Sequence, residues 1–187
     1  MNLQKQIVYQ GSTKTRLKIT ISYPYRGDAN LMMNYINTLS KERTFVYFQG
    51  EQNTIGEERK YLNSILDGLK KETAVCLLAF DRQKLIGVSQ IEMKDKAQSH
   101  VGAFGISIAK QYRNQGVGML LMNLVFEEAK KHLPQLKICT LGVFANNRIA
   151  INMYKQFGFT KYGRLPKAVM YRGKPIDEIY FFKTLSE

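Results

Sequence analysis

The chain has 187 residues, of which 44% are hydrophobic. This length predicts one domain with a proper core, and the apolar fraction excludes a disordered protein. The 28 lysines and arginines outnumber the 15 aspartates and glutamates and give a net charge of +13, which would attract a ligand that carries phosphate groups. No apolar run approaches the roughly 18 residues of a membrane span, so we expect no contact with a membrane.

Signals for export, disulfides and metals are missing from the sequence. Residues 1–6 lack the apolar stretch of a signal peptide, and Cys76 and Cys139 lie in apolar, strand-like runs. We therefore expect a cytoplasmic protein with two reduced thiols in its core. Neither cysteine belongs to a C-x-x-C motif and the chain has only two histidines, so no metal is expected.

The first predicted element is an N-terminal hairpin at about residues 1–24 of a single domain, 1–187. Residues 5–10 and 15–23 alternate apolar and polar side chains around Gly11-Ser12, which is typical of two short strands joined by a turn.

Two helices follow the hairpin. Asp28 is placed to cap a helix over residues 29–40. Thr54 and Glu57 have the spacing of a capping box, which predicts the start of a second helix. The aromatic-rich segment 43–49 lies between the two helices.

The rest of the chain alternates strands and helices. The spacing predicts strands at 74–80, 84–93, 100–109, 136–144, 159–171 and 176–184, and helices at 116–132 and 148–157. A strand, a helix and a strand of these lengths imply a parallel crossover, so strands 101–109 and 137–144 should be parallel neighbours. The fold class is therefore α/β, with a mixed, mostly antiparallel sheet flanked by helices and a parallel pair at its centre.

The most informative segment joins a strand to the helix that begins near residue 116. Its turn reads Arg113-Asn-Gln-Gly-Val-Gly118, and Gly116 and Gly118 remove side chains where the helix begins. The first amides of a helix have no partner within it, and the helix dipole favours an anion there. The turn is therefore suited to hold a phosphate group, although it matches neither G-x-G-x-x-G nor G-x-x-x-x-G-K-[ST].

This R-x-x-G-x-G pattern after an apolar strand resembles the acetyl-CoA pyrophosphate loop of the GNAT superfamily of N-acetyltransferases. A second segment, residues 141–159, is similar to the same superfamily's strand, asparagine, helix, tyrosine and final Gly-Phe. Its matching positions are Asn147, Ala150, Tyr154, Gly158 and Phe159. The resemblance covers residues 74–187 well and the earlier part only in the order of its elements.

The resemblance implies acetyl-CoA as cosubstrate and a central parallel pair that splays apart around the pantetheine arm. The strand backbone that would bind this arm and the acetyl carbonyl is that of Ile106, Ser107 and Ile108. The residues that would bind the pyrophosphate are Arg113, Asn114, Gln115, Gly116, Val117, Gly118 and Met119.

Two further residues take roles from the resemblance. Tyr154 matches the tyrosine that acts as general acid near the CoA sulfur, and its alternative is a packed core ring. Asn147 would bind CoA, cap the following helix, or do both.

The general base is open at this stage. Relatives often carry a glutamate on the strand before the pyrophosphate loop, but the position that aligns with it here is Ala103. The catalytic candidates that remain are Glu92, on the preceding strand, and His100, whose ordinary pKa suits proton transfer. An ordered water chain and an ordinary structural role for both side chains are the alternatives.

Phe45, Tyr47 and Phe48 are the candidate substrate residues, because they cluster in a predicted loop. The last hairpin, around 165–175, is the other candidate wall of the acceptor site. Simple core packing of the aromatic residues is the alternative. Neither segment names the acceptor, so a small-molecule amine and a peptide or protein amine both stay open.

The sequence thus predicts an N-acetyltransferase that transfers acetyl from acetyl-CoA to a primary amine by direct attack in a ternary complex. A non-catalytic CoA-binding sensor or interaction module is the alternative, suggested by the absent glutamate. Nucleic acid is not an expected partner, because no basic stripe is interleaved with aromatic residues. A homodimer is left open.

Overall fold

A computed structural model describes residues 5–185, which form one eight-stranded sheet with helices on both faces. The strands are β1 (Ile7–Ser12), β2 (Lys18–Ser22), β3 (Ala74–Asp81), β4 (Lys84–Met93), β5 (Val101–Ile108), β6 (Ile138–Phe144), β7 (Thr160–Tyr171) and β8 (Lys174–Thr184). The helices are α1 (Ala29–Lys41), α2 (Ile55–Lys70), α3 (Val117–His132) and α4 (Arg148–Gln156). Within residues 5–185, none of the helices combines the length and hydrophobicity needed to cross a bilayer.

The strands lie in the order β1-β2-β3-β4-β5-β6-β8-β7, and only β5 and β6 run parallel to each other. Their pairing covers three residue pairs, of which the last is Ala103 with Thr140. Beyond this pair the two strands separate, while β5 stays paired with β4 as far as Ile108 and β6 with β8 as far as Phe144. The predicted mixed sheet with a central splayed parallel pair is therefore confirmed.

Alternate residues of β3 show how the two faces of the sheet are covered. Val75, Leu77 and Ala79 belong to a core formed with α3 and α4. Cys76 and Leu78 point the other way, into a second core formed with α1 and α2. A central strand that is buried on both faces reads as a continuous apolar run, which is the pattern of this segment.

The predicted hairpin and capping box are present, with one shift. β1 and β2 pair antiparallel, but Gly11 and Ser12 lie within β1 and the turn falls at residues 13–17. Residues 1–4 of the expected hairpin lie outside the described residues. At the start of α2, the Glu57 amide donates to the Thr54 hydroxyl at 3.3 Å, and the Thr54 amide donates to the Glu57 carboxylate at 2.8 Å.

The prediction that Asp28 caps α1 with its side chain is wrong. Asp28 does precede the helix, but its carboxylate accepts hydrogen bonds from the Tyr25 amide at 3.1 Å and from Lys5 Nζ at 3.0 Å. Asp28 is fully buried, so this carboxylate needs a cation, and Lys5 from the N-terminal segment supplies one.

Both cysteines are free and buried, as expected of core thiols. Burial raises the pKa of Cys76 and of Cys139 to about 12, which leaves both thiols protonated and unreactive near neutral pH.

Candidate active site

The turn before α3 has the backbone of an anion-binding loop. Gly116 has a φ of +78°, a conformation that L side chains rarely adopt, and α3 begins at the next residue. The first helical hydrogen bond runs from the Leu120 amide to the Gly116 carbonyl. The amides of Val117, Gly118 and Met119 therefore have no partner within the helix.

Gly118 leaves space in front of these amides. A Cβ atom built at this position would lie 3.5 Å from Met153 Sδ and 3.7 Å from Ile108 Cγ1, which are ordinary contact distances. Packing within the protein therefore does not require glycine here. Glycine at this position leaves the backbone of the first helical turn without a side chain over it.

The side chain of Arg113 is held by protein partners. Its Nη2 atom lies 2.9 Å from a Glu42 carboxylate oxygen at the end of α1, and its Nε atom donates to the Ile108 carbonyl at 2.9 Å. The Arg113 guanidinium thus ties the loop to the end of β5. Arg113 is therefore expected to contribute to phosphate binding through its backbone and through the long-range charge of its guanidinium.

The N-terminal hairpin supports the same loop from the other side. The Thr15 hydroxyl donates to the Gln115 carbonyl at 3.0 Å, across 100 residues of sequence. A Cβ atom at Gly116 would lie 3.6 Å from Thr13 Cβ and 3.7 Å from the Lys14 amide nitrogen. Asn114 has a φ of +60°, so the turn adopts two left-handed residues within three positions.

The open edge of β5 exposes backbone groups of alternate residues. The Ala109 amide donates to the Ile86 carbonyl on β4. Because successive residues of a strand direct their backbone groups to opposite edges, those of Ser107 also face β4. Those of Ile106 and Ile108 face the gap towards β6. The Ser107 side chain meets the Tyr35 hydroxyl of α1 at 3.0 Å, so Ser107 lines the other face of the sheet.

Tyr154 of α4 is buried among aromatic rings, with its ring centroid 6.1 Å from that of Phe104 and 5.9 Å from that of Phe159. Within residues 5–185 its hydroxyl has no hydrogen-bond partner. Burial raises the pKa of Tyr154, so the hydroxyl keeps its proton near neutral pH. A protonated, unengaged hydroxyl is able to donate to a ligand.

Asn147 caps α4. Its Oδ1 atom accepts a hydrogen bond from the Ala150 amide at 3.2 Å, which is the capping interaction that the sequence offered as one of its two roles. Its role in binding CoA stays a prediction.

The aromatic segment between α1 and α2 lies against the last hairpin. Phe45 stacks on Tyr171 with centroids 4.9 Å apart, and its ring also meets Phe144 edge-on at 6.2 Å. The Arg172 amide donates to the Gln49 side chain at 3.2 Å. The two predicted walls of the acceptor site are therefore in contact with each other.

The three candidate substrate residues differ in exposure. Phe45 and Phe48 are half-buried, so packing accounts for much of their surface. Tyr47 is 71% exposed, and its hydroxyl donates to a Glu178 carboxylate oxygen at 2.5 Å. Partial burial and the Glu178 carboxylate raise the pKa of Tyr47, so this hydroxyl remains a donor.

Glu178 of β8 is a candidate that the sequence analysis missed. It is only 6% exposed and accepts a second hydrogen bond from the Tyr180 hydroxyl at 2.8 Å. A Cβ atom at Gly142 of β6 would lie 2.4 Å from its Oε1 atom, so the carboxylate rests on the backbone of the splayed strand. Its strand also contains the charged residues Lys174, Asp177 and Lys183, so the sequence alone gave no signal that singled out Glu178.

The profile of the Acetyltransferase (GNAT) family matches residues 36–159, which is more than half of the chain. The chain belongs to the GNAT acetyltransferase family. It is 32% identical over 97 residues to an L-amino acid N-acetyltransferase of Escherichia coli (strain K12), a match that covers 51% of this chain and 59% of that protein.

Solved structures of GNAT acetyltransferases share the fold. An acetyltransferase of the family from Streptococcus pneumoniae superimposes with a TM-score of 0.80 at 27% identity, over 89% of this chain and 99% of that one. The microcin C7 self-immunity acetyltransferase, in complex with acetyl-CoA and AMP, gives a TM-score of 0.72 at 19% identity, over 95% and 98% of the two chains.

Within this GNAT fold, the two predicted bases lie away from the open end of the splay. Glu92 is exposed and pairs with Ala103, three residues or about 10 Å along β5 from Ile106. His100 precedes β5 at the closed end, about 20 Å from Ile106 by the same spacing. Its carbonyl accepts from the amides of residues 137 and 138.

A cavity of about 310 Å³ lies on the side of Glu92, between α2 and the ends of β3 and β4, and Tyr61 and Gln90 line it. The Tyr61 hydroxyl donates to Gln90 Oε1 at 2.8 Å. Glu92 lines this cavity together with Gln90, which pairs with Gly105, and its role as general base stays a prediction. Among the described residues, no group of three His, Cys, Asp or Glu side chains is arranged to hold a metal ion.

Proposed function

We propose that this protein is an N-acetyltransferase that transfers the acetyl group of acetyl-CoA to a primary amine by direct attack in a ternary complex. The observation that carries the proposal is the open edge of β5 beside the start of α3. The amides at the start of α3 lie next to the end of β5, since a Cβ at Gly118 would be 3.7 Å from Ile108 Cγ1, and Ile106 and Ile108 direct backbone groups into the gap.

The residues present fit acetyl-CoA. The amides of Val117, Gly118 and Met119 suit the pyrophosphate, since they are unpaired within the helix and the dipole favours an anion. The backbone of Ile106 and the Ile108 amide suit the pantetheine arm, because an unpaired strand edge binds extended chains, while the Ile108 carbonyl already accepts from Arg113 Nε. When bound, acetyl-CoA supplies the activated acetyl group.

The chain must then stabilise charge at two atoms. A backbone amide aimed at the acetyl oxygen would stabilise the oxyanion by roughly 3–4 kcal/mol. The Ile106 and Ile108 amides face the gap in which that oxygen would lie. The Tyr154 hydroxyl, protonated and without a partner among residues 5–185, would give its proton to the departing sulfur.

The acceptor would reach the thioester from the face of the sheet that carries α1 and α2. Exposed backbone at Ala103 and Gly105 of β5 and at Gly142 of β6 forms the floor of this face beside the gap. Only about one in 10³ of the molecules of a lysine-like amine is neutral at pH 7, so the site must also favour loss of a proton.

Release of free CoA thiol from acetyl-CoA, measured across amino acids, peptides, aminoglycosides and simple aliphatic and aromatic amines, tests this function. We expect at least one amine to raise the rate well above hydrolysis, with the acetylated amine detected by mass spectrometry. Tight binding of acetyl-CoA with no amine-dependent release across the panel would favour the alternative, a CoA-binding module without turnover.

A further inference from the structure

Glu178 is a buried carboxylate without a cation. Among residues 5–185, no Lys, Arg or His nitrogen pairs with it, although the protein carries 28 lysines and arginines. Glu128 of α3 is equally buried and also accepts from a tyrosine, Tyr23, at 2.7 Å, but Lys131 Nζ lies 2.6 Å from it. Burying an unpaired charge destabilises a protein, so Glu178 favours binding of a cation, whereas Glu128 already has one in Lys131.

The two tyrosine hydroxyls do not saturate Glu178. Tyr47 donates to Oε1 and Tyr180 to Oε2, one hydrogen bond to each oxygen. A carboxylate has about four acceptor positions, so room remains for a further donor. Gly142, against which Oε1 rests, is exposed, and Tyr47 is 71% exposed, so solvent reaches the surroundings of the carboxylate.

The position of Glu178 along the sheet matches that of the acetyl site. Ala103 pairs with Thr140, so the same parallel register sets Ser107 level with Phe144 across the gap. Phe144 in turn pairs with Glu178 on β8. Glu178 therefore lies level with the Ile106–Ile108 backbone, on the face opposite α3 and α4.

We infer that Glu178, together with the rings of Tyr47 and Phe144, forms the subsite that holds the ammonium group of the acceptor, and that the acceptor is a primary amine on an aromatic or apolar body. The inference rests on the proposed function. The Tyr47 and Phe144 rings lie with their centroids 6.0 Å apart, next to the carboxylate that the Tyr47 hydroxyl contacts.

The chemistry of this subsite selects for a cation with an apolar neighbour. The carboxylate attracts an ammonium by charge, and aromatic faces add a cation–π contribution. The stacked pair Phe45 and Tyr171, which also contacts Phe144, extends the apolar wall away from Glu178. An ammonium held here would lie beside the gap, on the face of the sheet opposite α3 and α4.

Equilibrium binding of two small probes separates charge recognition from simple fit. The probes are 2-phenylethylamine, which is protonated at pH 7, and 2-phenylethanol, which has the same body without the charge. Both are titrated by NMR into the protein saturated with CoA. We expect the wild-type protein to bind the amine at least about 10-fold more tightly than the alcohol.

Glu178→Gln keeps the shape and removes the charge. We expect it to weaken amine binding roughly 10- to 100-fold, and to leave the affinities for the alcohol and for acetyl-CoA within about two-fold. Glu178→Asp keeps the charge and should retain a preference for the amine. Glu128→Gln is the matched control, since it removes an equally buried glutamate on the other face and should alter neither probe's affinity.

Two results would overturn the inference: a wild-type protein that binds both probes equally, or a folded Glu178→Gln variant that still prefers the amine. If the glutamine variant does not fold, loss of the preference in Glu178→Asp gives the same negative answer. These readouts use binding alone. Failure of the proposed function would instead appear as absence of amine-dependent CoA release from the wild-type protein, so the two failures are distinguishable.

Discussion

Substitution of Gly118 tests the phosphate site most directly. Gly118 is the second residue of α3, and its would-be Cβ meets only ordinary contacts from Met153 and Ile108. Gly118→Asp therefore adds a carboxylate beside the free amides without a clash. In the unliganded protein, an acidic residue in the first turn stabilises a helix by about 0.3–1 kcal/mol, so the melting temperature should stay unchanged or rise.

The effect on ligand binding has the opposite sign. Two unit charges about 4 Å apart interact by roughly 4 kcal/mol at an effective dielectric constant near 20. A pyrophosphate bound to the α3 amides would be repelled by the carboxylate of Asp at position 118. Rotation of that carboxylate towards solvent would reduce the repulsion energy. We expect acetyl-CoA affinity to fall by roughly 30- to 1000-fold, which corresponds to about 2–4 kcal/mol.

Gly118→Asn is the matched control, because its side chain has the same size and no charge. Isothermal titration calorimetry with acetyl-CoA and a thermal melt of each unliganded variant supply the two numbers. The reasoning predicts that only the aspartate variant combines normal stability with weak binding. Equal affinities for the aspartate and asparagine variants would refute the placement of a phosphate at this helix start.

Three further predictions concern Tyr154, Gly116 and Glu128. Tyr154→Phe should lower kcat by roughly 10²-fold at unchanged acetyl-CoA affinity, because it removes only a proton donor. Single-turnover kinetics measure the chemical step. A wild-type rate in the phenylalanine variant would show that Tyr154 is a packing residue. Gly116→Ala should destabilise the fold by about 1–2 kcal/mol in urea unfolding, since its φ of +78° disfavours any Cβ. Burial raises the Glu128 pKa, but hydrogen bonds from Lys131 and Tyr23 outweigh it and hold that pKa below the usual value of 4.5. Glu128→Gln should therefore lower the free energy of unfolding by roughly 1–3 kcal/mol at neutral pH. The difference in stability from wild type should disappear as the pH falls below about 4.5. A constant difference down to about pH 3 would contradict this sign.

The cofactor side of the site could be predicted from sequence because its signals are local. The strand, the glycines and the amides of α3 occupy one stretch, 105–122, and their chemistry follows from backbone geometry. In a second stretch, 141–159, Asn147 precedes α4 and Tyr154 lies on it, and their expected roles come from the resemblance to the GNAT superfamily. Each prediction depended on neighbours within about one helical turn or one strand.

The acceptor side could be predicted only in part, because its contacts join distant segments. Tyr47 and Glu178 are 131 residues apart and meet only through the pairing of β8 with β6. The sequence placed Tyr47 in a loop but gave no reason to choose Glu178 among the 15 acidic residues. It proposed Glu92 and His100 because their chemistry suits a general base, and that role stays a prediction for both.

Arg113 shows why a correct motif still leaves a side chain's partners open. Its position in the R-x-x-G-x-G pattern suggested phosphate binding, but its guanidinium bridges Glu42 and the Ile108 carbonyl. An unpaired strand edge leaves backbone groups that favour pairing with any neighbouring strand. At Ile108 the guanidinium already occupies the carbonyl that faces β6.

Arg113 therefore helps to keep β5 and β6 apart beside Ile108. Because Arg113 occupies the Ile108 carbonyl, pairing of β5 with β6 at this position would break a charge-assisted hydrogen bond and the ion pair to Glu42. On the other side of the gap, the Glu178 carboxylate of β8 rests on Gly142 and so lies beside β6. Arg113 thus places a cation beside β5, and Glu178 places a carboxylate beside β6, on the two sides of the gap. That polarity agrees with the proposed function, in which a phosphorylated cofactor would bind on one side of the gap and an ammonium on the other.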